Sequence, residues 1–178
     1  MTARPRPDDV VPAPATAASA PKARLFWGAF AVILVLDLIT KYLAQRHLVE
    51  RVPVEVIGDV ARLTLAYNPG AAFSMHVGAW SRVFFSAVAI VVLFVLSRVY
   101  RDTQPADRLR GLALGMVCAG AIGNLIDRIR SPRGVIDFID LGIGSYRWYT
   151  FNVADIGVSI GAILLAWSLW REERKGQG

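Results

Sequence analysis

The sequence predicts an all-α membrane protein: four transmembrane helices with a small extracytoplasmic β-sheet segment between helices 1 and 2. Three observations carry that reading. Hydrophobic residues make up 54% of the 178-residue chain and charged ones 19%, below the roughly 25% of a typical soluble domain. The apolar residues gather into long runs that a soluble core of this size cannot bury. The net charge, formally +6, flanks those runs rather than forming one basic patch with interleaved aromatics, which argues for a membrane protein and against a nucleic-acid partner. A soluble enzyme and a disordered chain are excluded on the same grounds.

Taken in order, residues 1–24 are rich in Pro and Ala and predict a disordered cytoplasmic tail. Residues 25–44 are long enough, at 1.5 Å per residue, to cross a bilayer core of about 30 Å. No small-x-small site follows them, so they read as an uncleaved span rather than a signal peptide. Within the β segment, residues 50–75, VPVEVI and VARLTLA alternate as half-buried strands do. Gly58-Asp59 is the turn between them, and Asn68-Pro69-Gly70 makes a second, tighter turn. The second span, 80–100, has a continuous apolar centre between Arg82 and Arg98. The third, 109–126, carries Gly111, Gly115, Ala119 and Gly123 at intervals of four, a flat stripe for close helix packing. The fourth, 153–170, closes the membrane domain, 25–170, and the charged tail 171–178 follows.

Four spans put both termini on one side. The tail 1–24, the loop 97–108 with Arg110, and the tail 171–178 hold eleven Lys and Arg residues, against eight in the longer segments 45–82 and 127–150. That density favours cytoplasmic termini. Cys118 is the lone cysteine and only two histidines, His47 and His76, accompany it. No disulfide, metal site or organic cofactor is expected; Cys118 reads as a small packing residue and His76 as a loop residue.

The polar residues near the apolar runs carry the functional reading. A carboxylate at a helix centre costs roughly 2.5–3.5 kcal/mol on insertion scales, so it should be paired, line a cavity, or act. Asp37 lies inside span one with Lys41 one turn later. Asn124, Asp127 and Arg128 share a face at the end of span three. Asp137 follows in GVIDFIDL, an apolar segment expected to dip toward the membrane, and Asn152 and Asp155 open span four. The four-span topology brings all of them, with Asn68, to one membrane face and leaves the other with ordinary surface charges.

No nucleophile elbow, Cys–His pair or HExxH helix is present. Two Asp residues in a low-dielectric site can instead share one proton, one acting as base on water and the other donating to a substrate carbonyl, and titrate as a coupled pair. From the residues alone, Asp137 and Asp155 suit a proton relay as well as catalysis, and Asp127 is an equal candidate. The Asp37–Lys41 and Asp127–Arg128 pairs read as braces, and Asn68-Pro69-Gly70 as a plain turn. A small proton-coupled transporter is the rival reading. It predicts polar residues spread through the membrane depth or an inverted repeat, and the sequence has neither. An inert scaffold leaves both aspartates unexplained.

The motifs DLITK (37–41), NPGAAFS (68–74), GNLIDR (123–128), GVIDF (134–138) and FNVAD (151–155) resemble, in order, those of the lipoprotein signal peptidase family, also called signal peptidase II. The match covers about residues 25–170. The resemblance implies an intramembrane aspartic endopeptidase of the bacterial inner membrane. Its substrates are prolipoproteins carrying a diacylglyceryl-cysteine, cut on the N-terminal side of that cysteine. It implies Asp137 and Asp155 as the catalytic pair, with the active site near the extracytoplasmic face. Asn68, Gly70, Asn124, Arg128 and Asn152 would line the substrate site, Asp127 would support it, and Asp37 and Lys41 would brace it. The motif favours Asp137 over Asp140, although a second carboxylate so close would raise the pair by repulsion. Phe73 and the sheet segment are expected to grip the substrate, with membrane lipids as further partners and a monomer as the working unit.

Overall fold

A computed structural model describes residues 21–70 and 78–176. Most of the tail 1–24, the Phe73 expected to grip substrate, and His76 lie outside the described residues. Four helices, α1 (Pro21–His47), α2 (Ser81–Asp102), α3 (Arg108–Arg130) and α4 (Val153–Gly176), are each long and apolar enough to cross a membrane. Every helix runs past the C-terminal end of the apolar stretch that predicted it, because backbone hydrogen bonding continues past the hydrocarbon boundary where hydropathy stops.

Helix α3 is the central helix: 56% of its apolar window is buried, against 6% for α2. Its small residues explain this position. A Cβ on Gly111 would meet the backbone of Lys22, one on Gly115 the backbone of Phe26, and one on Gly123 the Asp37 carboxylate, all on α1. A Cβ on Gly120 would meet the Ala154 carbonyl of α4. The stripe thus provides close approach on the α1 flank, and Gly120, outside the stripe, admits the α4 backbone. In contrast, α2 exposes Val83, Phe84, Ile90, Val91, Phe94 and Val95, a face suited to lipid.

One end of the bundle carries a four-stranded antiparallel sheet of order β1-β2-β3-β4: β1 (Val54–Ile57), β2 (Ala61–Asn68), β3 (Val135–Ile143) and β4 (Tyr146–Arg147). The β1–β2 hairpin turns at Gly58, whose φ of 47° is left-handed, as the alternation predicts. The GVIDFIDL segment, expected only to dip toward the membrane, is instead the third strand. Buried from Val135 through Phe138, it has no alternation to betray a strand. Gly134 makes its entry possible: φ is 93° and a Cβ there would collide with the Asn68–Pro69 backbone, so only glycine fits. Ala44, Leu65, Ile136 and Phe138 form a small core that seats the sheet on the end of α1.

The opposite end is also less ordinary than expected. Lys22 is buried, donating from Nζ to the carbonyls of Tyr100 (2.9 Å) and Thr103 (2.5 Å) at the end of α2. Arg110 is buried too, bonded to Ser168 (3.4 Å) and Glu172 (2.6 Å) of α4.

Candidate active site

The register of β2 on β3 sets Asn68 opposite Val135 and Ala66 opposite Asp137. Phe151 then exchanges backbone hydrogen bonds with Ile139, N–H to O at 3.0 Å and 2.8 Å in the two directions. That exchange places the start of α4, with Asn152 and Asp155, against the strand that carries Asp137. Asn152 caps α4: its Oδ1 accepts from the Asp155 N–H (3.0 Å), and Asp155 Oδ2 accepts from the Asn152 N–H (3.1 Å). This is a capping box with an aspartate in the third helical position.

Three asparagines turn their amide N–H groups on the two carboxylates. Asn68 donates to Asp137 Oδ2 (3.3 Å), Asn152 to Asp137 Oδ1 (2.7 Å), and Asn124 to Asp155 Oδ1 (2.8 Å). Each amide is held by a donor on its oxygen: Gly70 N–H on Asn68 (3.0 Å), Asp155 N–H on Asn152, and Lys41 Nζ on Asn124 (2.9 Å). Asn152 also donates to the Asn124 oxygen at 3.1 Å and to the Ile136 carbonyl at 3.2 Å. Behind them Lys41, 2% exposed, pairs with Asp37 and Asp127 at 2.8 Å each. Arg128 donates to the carbonyls of Gly70 (2.8 Å) and Asn124 (3.2 Å).

All ten expected site residues therefore meet at one end of the bundle. Asp137, Asp155, Asn68, Gly70, Asn124 and Arg128 line one cleft of about 940 Å³, while Asp37, Lys41 and Asp127 lie behind its wall and Asn152 is fully buried between the carboxylates. Asp127 and Arg128, adjacent in sequence, are not partners; about 100° apart on the helix, they serve Lys41 and the Gly70 turn respectively.

Burial first, and the Asp155 carboxylate second, push Asp137 up to about 7, against the Asn68 and Asn152 hydrogen bonds that pull it down. Asp140 does not act as expected. Three residues along the strand from Asp137, it sits on the other face, paired with Arg62 (3.2 Å) and Arg147 (2.8 Å) and accepting from Thr64 (3.0 Å). Burial pulls it upward, but those bonds outweigh burial and hold it below the usual carboxylate range, so its charge is neutralised locally. The apolar lining of the cleft, unread in the sequence, includes Trp148, Tyr149 and Phe151 before α4 and Ile156 and Ile160 along it. The aromatic run RWYTF (147–151), whose last residue opens FNVAD, is the signal that would have found it.

Known proteins share this arrangement of chain. Residues 29–171 match the family described as signal peptidase (SPase) II. The chain is 46% identical over 150 residues to the lipoprotein signal peptidase of Hydrogenovibrio crunogenus, covering 81% of this chain and 86% of that one. It is 37% identical over 156 residues to the lipoprotein signal peptidase of Geobacter metallireducens, covering 87% and 96%. A solved bacterial membrane enzyme, determined by the in meso method at 2.3 Å, superposes with a TM-score of 0.75 at 30% identity, covering 83% of this chain and 88% of that one.

Proposed function

The chain belongs to the signal peptidase II family and is a multi-pass membrane peptidase, and from that premise we propose that it removes signal peptides from diacylglyceryl-modified prolipoproteins. It cuts on the N-terminal side of the lipidated cysteine, with Asp137 and Asp155 as the catalytic pair. The observation that carries this reading is the convergence of these two carboxylates, from β3 and α4, on one cleft with apolar walls.

One carboxylate, ionised, takes a proton from water as the water oxygen attacks the scissile carbonyl carbon. The other, protonated, gives its proton to the carbonyl oxygen. Collapse of the tetrahedral diol, with a proton passed to the departing amine, breaks the C–N bond. A helical signal peptide must unwind to be cut, and its freed amide groups need polar partners at membrane depth. Asn68, Gly70, Asn124 and Arg128, which line the cleft, offer them beside the pair, whereas the buried Asn152 serves the carboxylates themselves. The lipid on the cysteine holds the substrate in the bilayer.

The termini are assigned to the cytoplasm and the active site to the extracytoplasmic face of the inner membrane. One chain supplies the whole site, consistent with a monomer, and 25–170 serves as the peptidase domain between two tails. The test is cleavage of a prolipopeptide carrying diacylglyceryl-cysteine, with products identified by mass, beside the same peptide with a bare cysteine. Cutting only the lipidated peptide, immediately before the cysteine, is the expected outcome. Equal cutting of both, or a cut elsewhere, overturns the substrate assignment.

A further inference from the structure

The three asparagines around the carboxylates are not held alike. Asn68 and Asn152 are pinned through their oxygens by backbone N–H groups, of Gly70 and Asp155; a backbone N–H only donates. Asn124 is pinned by a side chain, the Lys41 ammonium, also donor-only. Its oxygen thus faces Lys41 and Asn152, so its N–H₂ must face Asp155.

Lys41 reaches the pair by two further arms. Asp37, bonded to Lys41, accepts through Oδ1 from the N–H of Ala154 (2.9 Å), the residue before Asp155. Asp127, also bonded to Lys41, accepts through Oδ2 from the N–H of Ile136 (3.2 Å), the residue before Asp137. Each supporting carboxylate thus holds the backbone immediately upstream of one member of the pair.

The two aspartates receive unequal treatment in consequence. Both oxygens of Asp155 meet donors, at 2.8 Å and 3.1 Å, in the first turn of α4, where the helix dipole also favours negative charge. Asp137 lies in a strand without a helix terminus; Asn152 donates to its Oδ1 at 2.7 Å, and among the described residues its Oδ2 meets the longer 3.3 Å contact from Asn68. Among the described residues, the charged groups around the pair are Asp37 and Lys41 from α1 and Asp127 and Arg128 from α3, and the titratable Tyr67 of β2 and Tyr149 before α4 line the same cleft.

We propose that Lys41 is a positioning residue that makes the pair asymmetric: by orienting Asn124 it commits Asp155 to accept the proton of the attacking water and leaves the shared proton on Asp137. This rests on the two-aspartate reading above. Lys41 is buried and does not line the cleft, so it acts through Asn124, Asp37 and Asp127.

The experiment is kcat and KM across pH for the full chain in detergent micelles, on the lipidated prolipopeptide, for wild type, Lys41→Met, Lys41→Arg and Asn124→Asp, with folding checked by circular dichroism. Loss of the orienting arm is expected to lower kcat about 100-fold in Lys41→Met, the scale of a roughly 1 Å misplacement in a catalytic site, with KM little changed and a displaced pH profile. Lys41→Arg restores part of the loss. Asn124→Asp, which removes the donor facing Asp155 but keeps the shape, displaces the profile as well, and it decides the matter if Lys41→Met fails to fold. An unchanged pH profile in whichever of these two variants folds overturns the proposal, whatever happens to the rate. Asp137→Asn and Asp155→Asn, run in parallel, test the two-aspartate reading separately: activity in either removes that reading itself.

Discussion

Each end of the bundle buries a lysine, and the two do different work. Lys22 points its ammonium at the carbonyls of Tyr100 and Thr103 and lies over the Tyr100 ring at 4.4 Å. Its partners are fixed dipoles at the C-terminus of α2, the place where a cation is stabilising. Lys41 instead meets two carboxylates and an amide whose other side faces Asp155. Both charges are buried; only one is connected to groups that can exchange a proton. A buried charge therefore marks a functional site through what its partners can do, and the burial alone marks nothing.

The comparison breaks first at the pair itself. Asp137→Asn or Asp155→Asn is expected to lower kcat at least about 1,000-fold, the range of a lost general acid or base, in a gel-shift assay of prolipoprotein cleavage. Asp127→Asn should keep a measurable fraction if, as proposed, Asp127 supports the site through Lys41 and the Ile136 N–H rather than reacting.

Exchanging the two lysines sharpens the contrast. Lys22→Met should leave kcat within about twofold while lowering the thermal midpoint in detergent, since buried carbonyls left unpaired cost about 1–3 kcal/mol. A large loss of kcat in Lys22→Met would erase the distinction between the two ends.

Two glycines of α3 give a smaller effect of the same kind. Gly115→Ala and Gly120→Ala should each cost about 1–3 kcal/mol from overpacking, against Phe26 and Ala154 respectively. Only Gly120→Ala should also depress kcat, because Ala154 adjoins Asp155. Thermal unfolding and turnover measured on the same samples separate the two.

Much of this was legible in the sequence. Contiguous apolar runs located the four helices, and alternation around Gly58-Asp59 located β1 and β2. Strand β3 was hidden because residues 135–138 are buried on both faces and pair with a strand about seventy positions earlier. In the site, Asp37–Lys41 was visible as an i,i+4 pair. The Lys41–Asp127 and Lys41–Asn124 contacts join separate helices, and no local spacing encodes them. The buried Lys22 and Arg110 were hidden for the same reason: their partners lie across the bundle. The repulsion expected from Asp140 failed because Arg62 and Arg147 come from other strands.

The subtlest expected effect is on stability. Asp137 moves from an ordinary 3.8 to about 7 on folding, so across that window the folded protein keeps a proton that the unfolded chain has released. Its contribution is complete at the acid end and is lost as pH rises through about 7. Asparagine is neutral throughout. Asp137→Asn should therefore unfold at a higher temperature than wild type at about pH 8, with the gap closing toward about pH 5. A gap that widens toward acid would reverse the sign and contradict the protonated carboxyl.

The central claim is that the pair rests with one proton, held by Asp137. Difference infrared spectroscopy of wild type minus Asp137→Asn, titrated with pH in micelles, observes that proton through the carbonyl stretch of a protonated carboxyl. Such a band is expected in wild type, missing in Asp137→Asn and fading in wild type with a midpoint near 7. A band that persists in Asp137→Asn and vanishes instead in Asp155→Asn would contradict that claim.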